Sequence, residues 1–178
     1  MATLIFDIET VGEDYDKLDE TTQEALTRWI KKESANEAEY KVALEELRDG
    51  LGFSPLTGKI AAIGVLDYAK DKGAVYFQSP DKKAVESEDD GIKFKPMDEE
   101  EILSQFWSVA KEYDTFVSFN GRGFDVPFLM IRSAIYKMRP TKNLMSNRYT
   151  SMQANYAKHV DLQDQLTFYG AVRRKGSL

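Results

Sequence analysis

The chain has 178 residues, 42% of them hydrophobic and 12% aromatic, so it is long enough for one folded domain and too apolar for a disordered chain. Its net charge is −6, no apolar run approaches the ~18 residues of a membrane span, and no secretory signal opens it, so we expect a cytoplasmic protein without a membrane partner. Because cysteine is absent, disulfides and thiolate sites are excluded, and only oxygen ligands or the single histidine, His159, remain for a metal such as Mg²⁺ or Mn²⁺.

Apolar periodicity and turn signals predict alternating strands and helices. In chain order we expect a strand at 3–8, one or two helices within 17–50, strands at 59–68 and 73–79 joined by a hairpin turn, a helix at 98–113, a strand at 114–120, a helix at 124–136, and a strand at 159–162 followed by a helical turn. Residues 80–97 are charged and are expected to form a surface excursion, whereas Trp29 and Trp107 are expected to be buried. The order indicates one domain, residues 1–178, with a mixed five-stranded α/β sheet flanked by helices and a helical insertion at 17–50.

The first strand carries two carboxylates in the stretch LIFDIETVG. Asp7 and Glu9 are two residues apart, so on a strand they project from the same face. Two such acids repel each other unless a cation lies between them, and a divalent metal with oxygen ligands would relieve that repulsion. This pair alone leaves open the alternative of two surface acids near a strand end, one of them capping a turn.

A third acid follows a later strand, in the stretch VSFNGRGFDVPFL. The strand is expected to end at Asn120, the glycines at 121 and 123 allow a tight turn, and Asp125 then lies in the first turn of a helix. Taken alone, Asp125 is typical of the acids that a helix dipole favours at a helix start.

Together, FDIET at residues 6–10 and SFNGRGFDVPFL at residues 118–129 resemble the first two motifs of the DnaQ-like (DEDD) 3′–5′ exonucleases. SPLTGKIAAIGV at residues 54–65 is similar to the second strand of that family. Within the family, the chain most resembles the predicted exonucleases related to the proofreading domain of family B DNA polymerases. The resemblance implies a ribonuclease H-like fold and two-metal hydrolysis, with Mg²⁺ or Mn²⁺, of phosphodiester bonds at a 3′ end.

The resemblance also assigns roles to individual residues. Asp7 would bridge both metals, Glu9 would bind the metal on the nucleophile side, and Asp125 would bind the other metal. The substrate-binding residues that it implies are Asn120 and Phe124, which would line the groove for the terminal nucleotide, and Ile8, Thr10 and Val11, whose backbone would pack against the 3′ end.

The third motif of the family supplies a fourth carboxylate from a C-terminal helix, together with a Tyr or His that orients the attacking water. The candidates for it here are His159 and Asp164, in HVDLQD. Val160 and Leu162 alternate with polar residues, which indicates a strand rather than a helix at this place. We therefore expect the chain to lack the C-terminal helix, as a fragment or a truncated sequence, and three acids alone would leave catalysis weak or absent.

The distribution of charge suits a nucleic-acid partner. Residues 1–120 carry 14 basic and 27 acidic side chains, whereas residues 121–178 carry 10 basic and 3 acidic ones. The resemblance implies a single-stranded 3′ end as the substrate, of DNA more than RNA. A basic segment suits the backbone of such a strand, although two solvated surfaces would give the same counts. The alternatives to an exonuclease are a catalytically dead remnant that binds nucleic acid and an endonuclease or junction resolvase on the same fold. The sequence names no polymerase or other protein partner.

Overall fold

The structure is a computed structural model that describes residues 2–79 and 85–172. Its helices and strands follow in the order β1 (Thr3–Gly12), α1 (Glu20–Glu33), α2 (Glu37–Gly50), β2 (Gly58–Asp67), β3 (Lys72–Phe77), β4 (Ser87–Asp89), β5 (Ile92–Pro96), α3 (Glu99–Ala110), β6 (Thr115–Ser118), α4 (Asp125–Ile135), β7 (Lys158–Asp161) and α5 (Leu162–Leu166). Within the described ranges, none of these helices combines the length and apolar character that crossing a membrane requires. The chain divides into two compact units, Met1–Glu9 with Ile60–Leu178, and Thr10–Lys59.

The seven strands form one sheet in the order β4-β5-β3-β2-β1-β6-β7. β1, β6 and β7 run parallel to one another, in a register that pairs Ile5 with Val117 and Val117 with Val160. β2 and β3 form the predicted antiparallel hairpin. Tyr68 N donates to Thr3 O (3.1 Å) where the end of β2 meets the start of β1. The predicted mixed α/β class is thereby confirmed, and the carboxyl ends of the three parallel strands lie at one edge.

The prediction of five strands is wrong in its count, because the charged stretch after β3 contributes two more. β5 pairs in parallel with β3, and β4 pairs antiparallel with β5 at the edge of the sheet. Ile92 and Phe94 alternate with Lys93 and Lys95, which is the period of a strand with one solvated face. Because the stretch is short and strongly charged, its composition favours a loop and its alternating pattern is too brief to indicate a strand. Residues 80–84 of the expected excursion lie outside the described residues.

The core of the larger unit lies between the sheet and helices α3 and α4. The inward residues of β1 alternate along the strand, and the ring of Phe6 lies 5.5 Å from the ring of Phe106 on α3. Trp107 is 2% exposed, as predicted, and its indole nitrogen donates to Ser133 Oγ on α4 at 2.8 Å. α3 begins with a capping box in which Asp98 caps the helix, so the predicted start of this helix is confirmed.

A buried ion pair joins α3, α4 and the start of β2. Glu99 is 3% exposed, and its carboxylate accepts two hydrogen bonds from Arg132, at 2.8 and 2.6 Å. Tyr136 OH and Ile60 N donate to the same carboxylate, each at 2.9 Å. With four donors around it, this carboxylate is compensated in the core and holds three elements together.

The smaller unit contains the predicted insertion as two helices. Asp19 caps α1 and Asn36 caps α2, in each case by accepting from a backbone amide of the first turn. The buried residues of α1 are Thr27 and Ile30, which are three positions apart and share a face. Trp29 lies outside that face and is 52% exposed, so the prediction that it is buried is wrong.

Candidate active site

Polar residues gather at the edge where the parallel strands end. The pairing of β1 with β6 stops at Ile5 and Val117, two residues before Asp7. The pairing of β6 with β7 stops where Ser118 faces Asp161. The sheet therefore brings the FDIET stretch, the NGRGFD turn and the start of α5 to one place, as the carboxyl ends of parallel strands commonly do at binding sites.

Asp7 and Glu9 project from one face of β1. Phe6, which precedes Asp7, and Ile8, which lies between the two acids, are buried, whereas both acids are exposed. The predicted end of the strand at Ile8 is wrong, because β1 continues to Gly12. The two acids therefore lie within an extended strand, just beyond its pairing with β6, and not at the strand end.

Asp125 brings a third carboxylate to Asp7. It is the first residue of α4, is 3% exposed and accepts a hydrogen bond from Ile8 N at 3.0 Å. It is not the capping residue, since Phe124 occupies that position. Burial, and after it the negative charge of Asp7, raise the pKa of Asp125 to about 7. One buried and one exposed carboxylate thus lie side by side, where a proton or a cation relieves their repulsion.

A sharp turn between β6 and α4 presents Asn120. This residue has a left-handed backbone with a φ of 57°, and its carbonyl oxygen accepts from Gly123 N at 2.8 Å. A Cβ at Gly121 would collide with Ser118 Oγ, and a Cβ at Gly123 would lie 2.6 Å from Asn120 Oδ1. Glycine is therefore required at position 121, whereas a side chain at position 123 would displace the Asn120 side chain.

Asp161 at the end of β7 holds this turn in place. Its two carboxylate oxygens accept from Asn120 N and Arg122 N, each at 3.0 Å, and one of them also accepts from Gln163 N (2.9 Å) at the start of α5. The side chain is buried, with 4% exposed. Sequence reasoning did not identify Asp161. The signal for it is an acid at the end of a predicted strand that shares an edge with the other two motifs.

An open cavity of about 800 Å³ lies at this edge. It is lined by Ile5, Phe6, Asp7, Glu9, Val117, Ser118, Phe119, Asn120, Phe124, Asp125, Leu162 and Gln163. Five of the predicted site residues line it together, whereas Ile8 does not line it and donates to Asp125 through its backbone amide. Phe119, Leu162 and Gln163 line it without having been predicted. Thr10 and Val11 belong to the smaller unit, and their substrate-binding role stays a prediction.

His159 lies in the core and not at the cavity. It is 1% exposed, with Nδ1 3.1 Å from Leu144 O and Nε2 2.7 Å from Ser118 Oγ. Because a carbonyl oxygen only accepts, Nδ1 carries the proton and the Ser118 hydroxyl donates to Nε2. Burial lowers the pKa of His159 to about 4, so the ring is neutral at pH 7. Both ring nitrogens are engaged within the protein.

Asp164 is likewise not among the residues that line the cavity of Asp7 and Asp125. It is 5% exposed and accepts from Arg148 Nε at 3.0 Å and from Arg148 Nη2 at 2.5 Å. It lines a separate, smaller cavity. The structure therefore brings neither candidate of the third motif, His159 or Asp164, to the acid pair.

The donor chemistry at the acid pair suits a hard divalent cation, because Asp7 and Asp125 offer oxygen ligands and crowded negative charge. Across the described part of the chain, however, no three or more His, Cys, Asp or Glu side chains are grouped so that they could hold a metal ion. Glu9 lines the same cavity without completing such a group. The described residues therefore offer a divalent cation two adjacent carboxylate ligands and no larger group of ligands.

Comparison with known protein families identifies the family of this chain. Residues 58–178 match the family model described as a predicted 3′-5′ exonuclease related to the exonuclease domain of PolB, and the FDIET stretch precedes the matched range. Among solved structures, the chain is similar to the family B DNA polymerase from the hyperthermophilic archaeon Pyrobaculum calidifontis, with 15% identity, a TM-score of 0.49, and coverage of 93% of this chain but only 16% of the polymerase chain. No curated protein matches. Since the family match extends over more than half of the chain, the chain belongs to the family of predicted 3′–5′ exonucleases related to the exonuclease domain of PolB.

Proposed function

We propose that this protein is a metal-dependent 3′–5′ exonuclease that hydrolyses phosphodiester bonds at the 3′ end of single-stranded DNA. The observation that carries the proposal is the pair of carboxylates, Asp7 and Asp125, held side by side in an open cavity at the carboxyl edge of the parallel strands. Membership of the exonuclease family supports the class of reaction. The acid pair supports the need for a metal, because two carboxylates alone would repel a phosphate.

Asp7 and Asp125 would hold Mg²⁺ or Mn²⁺, and Glu9, on the same face of β1, would serve as a further ligand. A divalent metal supplies a stabilising charge for the phosphodiester under attack and lowers the pKa of a bound water. The hydrogen bond from Ile8 N fixes one oxygen of Asp125, and its burial restricts the side chain further. The protein thus supplies one rigid and two solvent-facing carboxylates.

The remainder of the cavity suits one terminal nucleotide. Phe119 and Phe124 supply aromatic surface on which an unstacked base can lie. Asn120 supplies a polar group whose position depends on the hydrogen bond from its backbone to Asp161. A volume of about 800 Å³ lies in the range of small-ligand sites, so a base in it must leave its stack. An unpaired 3′ end meets this requirement at less cost than a duplex end does.

A protein that binds nucleic acid without cutting it is the second candidate. The observation that favours it is that, among the described residues, the metal-ligating groups stop short of a three-residue cluster. Asp164 is paired with Arg148, and His159 is buried, so neither adds a ligand or a base at the acid pair. An endonuclease or resolvase on the same fold would share the acid pair but would cut within a strand.

Two substrates separate these candidates: a 5′-labelled single-stranded oligonucleotide and a closed single-stranded circle, each incubated with Mg²⁺ or Mn²⁺. Stepwise shortening of the linear strand with an intact circle supports the exonuclease. Opening of the circle supports the endonuclease and contradicts our proposal. Binding of the linear strand without any cleavage supports the non-catalytic candidate. An RNA strand of the same base sequence measures the preference for DNA.

A further inference from the structure

A second, smaller cavity adjoins the first at Asn120. It measures about 220 Å³ and is lined by Asn120, Arg122, Gly123, Arg148, Asp161 and Asp164. Asn120 lines both cavities, so a strand whose last nucleotide occupies the larger one has the smaller one within reach of its backbone. Two of the six residues are arginines, which is the residue type that recognises phosphate groups best.

Arg122 is held at this cavity from both ends. Its backbone amide donates to Asp161 Oδ2 at 3.0 Å, and its Nη1 donates to Leu144 O at 3.1 Å. Within the described ranges no carboxylate forms an ion pair with it. Burial lowers the pKa of Arg122. The negative charges of Asp164 and Asp161 act against this, and the like charge of Arg148 acts in the same direction as burial. The guanidinium is thus oriented and close to a second positive charge, and an anion would stabilise both.

Arg148 is oriented by a buried acid and remains open to solvent. Its Nε and Nη2 donate to Asp164, whereas its side chain is 41% exposed and that of Asp164 is 6% exposed. Arginine has five N–H donors, and this pair uses donors on one edge of the guanidinium only. The Arg148 guanidinium lies 5.9 Å from the ring of Tyr169, which in turn lies 4.7 Å from the ring of Tyr149. Tyr149 is 52% exposed and offers a surface for a base.

The acids of this region should repel an anion less than their number indicates, because they are buried and compensated. In residues 121–172 the three acids, Asp125, Asp161 and Asp164, are all buried. Asp161 is compensated by backbone amides, and Asp164 by Arg148. Apart from the buried Arg132, the basic residues of this segment are exposed or half-buried. The charge that this segment presents to solvent is therefore positive.

We propose that Arg122 and Arg148 form a subsite for an internal phosphate of single-stranded nucleic acid, on the 5′ side of the nucleotide in the larger cavity. The inference rests on the proposed function for the direction in which the strand lies. The subsite positions the strand and takes no part in the chemistry. Because of this contact, the protein should bind a strand of several nucleotides more tightly than a dinucleotide.

The subsite is tested by replacing one charged phosphodiester linkage of the strand at a time with an uncharged linkage. The affinity of a labelled single strand of about 12 nucleotides, a length within the range of single-strand sites, is measured by fluorescence anisotropy in EDTA, so that no metal-dependent cleavage takes place. Methylphosphonate replaces one phosphate at a time along the strand. We expect one internal linkage whose neutralisation weakens binding by the unaltered protein about tenfold, the scale of a charge-assisted hydrogen bond. In Arg122→Gln the same replacement should change the affinity less than twofold.

Three further variants complete the test. Arg139→Gln removes an exposed arginine of the same segment that lines neither cavity, and it should keep the tenfold response. Arg148→Lys keeps the charge beside the buried Asp164 and so limits destabilisation, yet it should weaken the response because lysine lacks the planar fork. Arg122→Lys should keep part of the affinity. For Arg122→Gln, the slope of log affinity against log salt should fall by about 0.7, the value for one phosphate on a single strand.

The results for the subsite and for the proposed function are distinguishable. If no internal linkage responds, or if Arg122→Gln responds to every linkage as the unaltered protein does, the subsite is overturned even where the protein shortens strands from the 3′ end. If one linkage responds through Arg122 and no shortening takes place with Mg²⁺ or Mn²⁺, the subsite stands and the proposed exonuclease activity fails.

Discussion

Replacement of Arg132 by methionine should strongly destabilise the larger unit. The carboxylate of Glu99 is 3% exposed and accepts four hydrogen bonds, two of which come from Arg132. Arg132→Met removes those two donors and the compensating charge while it keeps an unbranched side chain of similar length. Removing one partner of a buried ion pair costs about 3–5 kcal/mol, and the whole stability of such a domain is about 5–15 kcal/mol.

A graded series makes this prediction quantitative. Tyr136→Phe removes one of the four hydrogen bonds and leaves the ion pair, so it should cost about 1–3 kcal/mol. Arg139→Met changes an exposed arginine and should stay within about 0.5 kcal/mol of the unaltered protein. Urea unfolding followed by circular dichroism gives the three values. Equal midpoints for Arg132→Met and Arg139→Met would refute the reasoning, because the pair would then contribute no stability.

Three further predictions concern the acid pair and the histidine. Because burial and then Asp7 raise the pKa of Asp125 from 3.8 to about 7, the folded protein binds a proton there that the unfolded chain has released. The contribution of Asp125 to stability should therefore fall as pH rises from about 4 to 7, against the opposite trend that the lowered pKa of His159 produces. Asp125→Asn removes only the first trend, so its stability should rise relative to that of the unaltered protein over this range in urea titrations; equal slopes in the two proteins would contradict it. Asp7→Ala should abolish Mn²⁺ binding at the site in calorimetric titration, and an unchanged titration would remove the basis for the metal site. The single histidine should stay neutral, with its proton on Nδ1, down to about pH 4 in NMR titration; protonation near its ordinary 6.5 would show that Ser118 and Leu144 do not enclose it.

Alternation and capping signals in the sequence were sufficient for most of the fold. The inward residues of β1, the β2–β3 hairpin and the cap at Asp98 follow from local patterns. β4 and β5 could not be predicted in this way, because their pairing with β3 decides that a charged stretch becomes strand. Trp29 was misplaced because the face of α1 that is buried depends on its packing partners, and hydrophobicity alone does not identify it.

Some features of the candidate site could likewise be predicted from local sequence patterns, and others depend on the tertiary structure. The shared face of Asp7 and Glu9 follows from the period of a strand. The approach of Asp125 to Asp7 depends on the sheet order, so the resemblance to a family was needed to anticipate it. Asp161 acts through hydrogen bonds to amides about 40 residues away in sequence, and no local pattern signals such contacts. The burial of His159 likewise results from the packing of β7 beside β6.

The most direct test of the central claim compares three proteins on a 5′-labelled single strand with Mg²⁺ or Mn²⁺: the unaltered chain, Asp125→Asn, and Glu100→Gln, which changes an exposed acid on α3 outside the cavity. The shape of the His159 NMR signal serves as the check that each protein is folded. We predict stepwise shortening from the 3′ end by the unaltered chain and by Glu100→Gln, and none by folded Asp125→Asn. Shortening by folded Asp125→Asn at the rate of the unaltered chain would contradict the assignment of the acid pair as the catalytic centre.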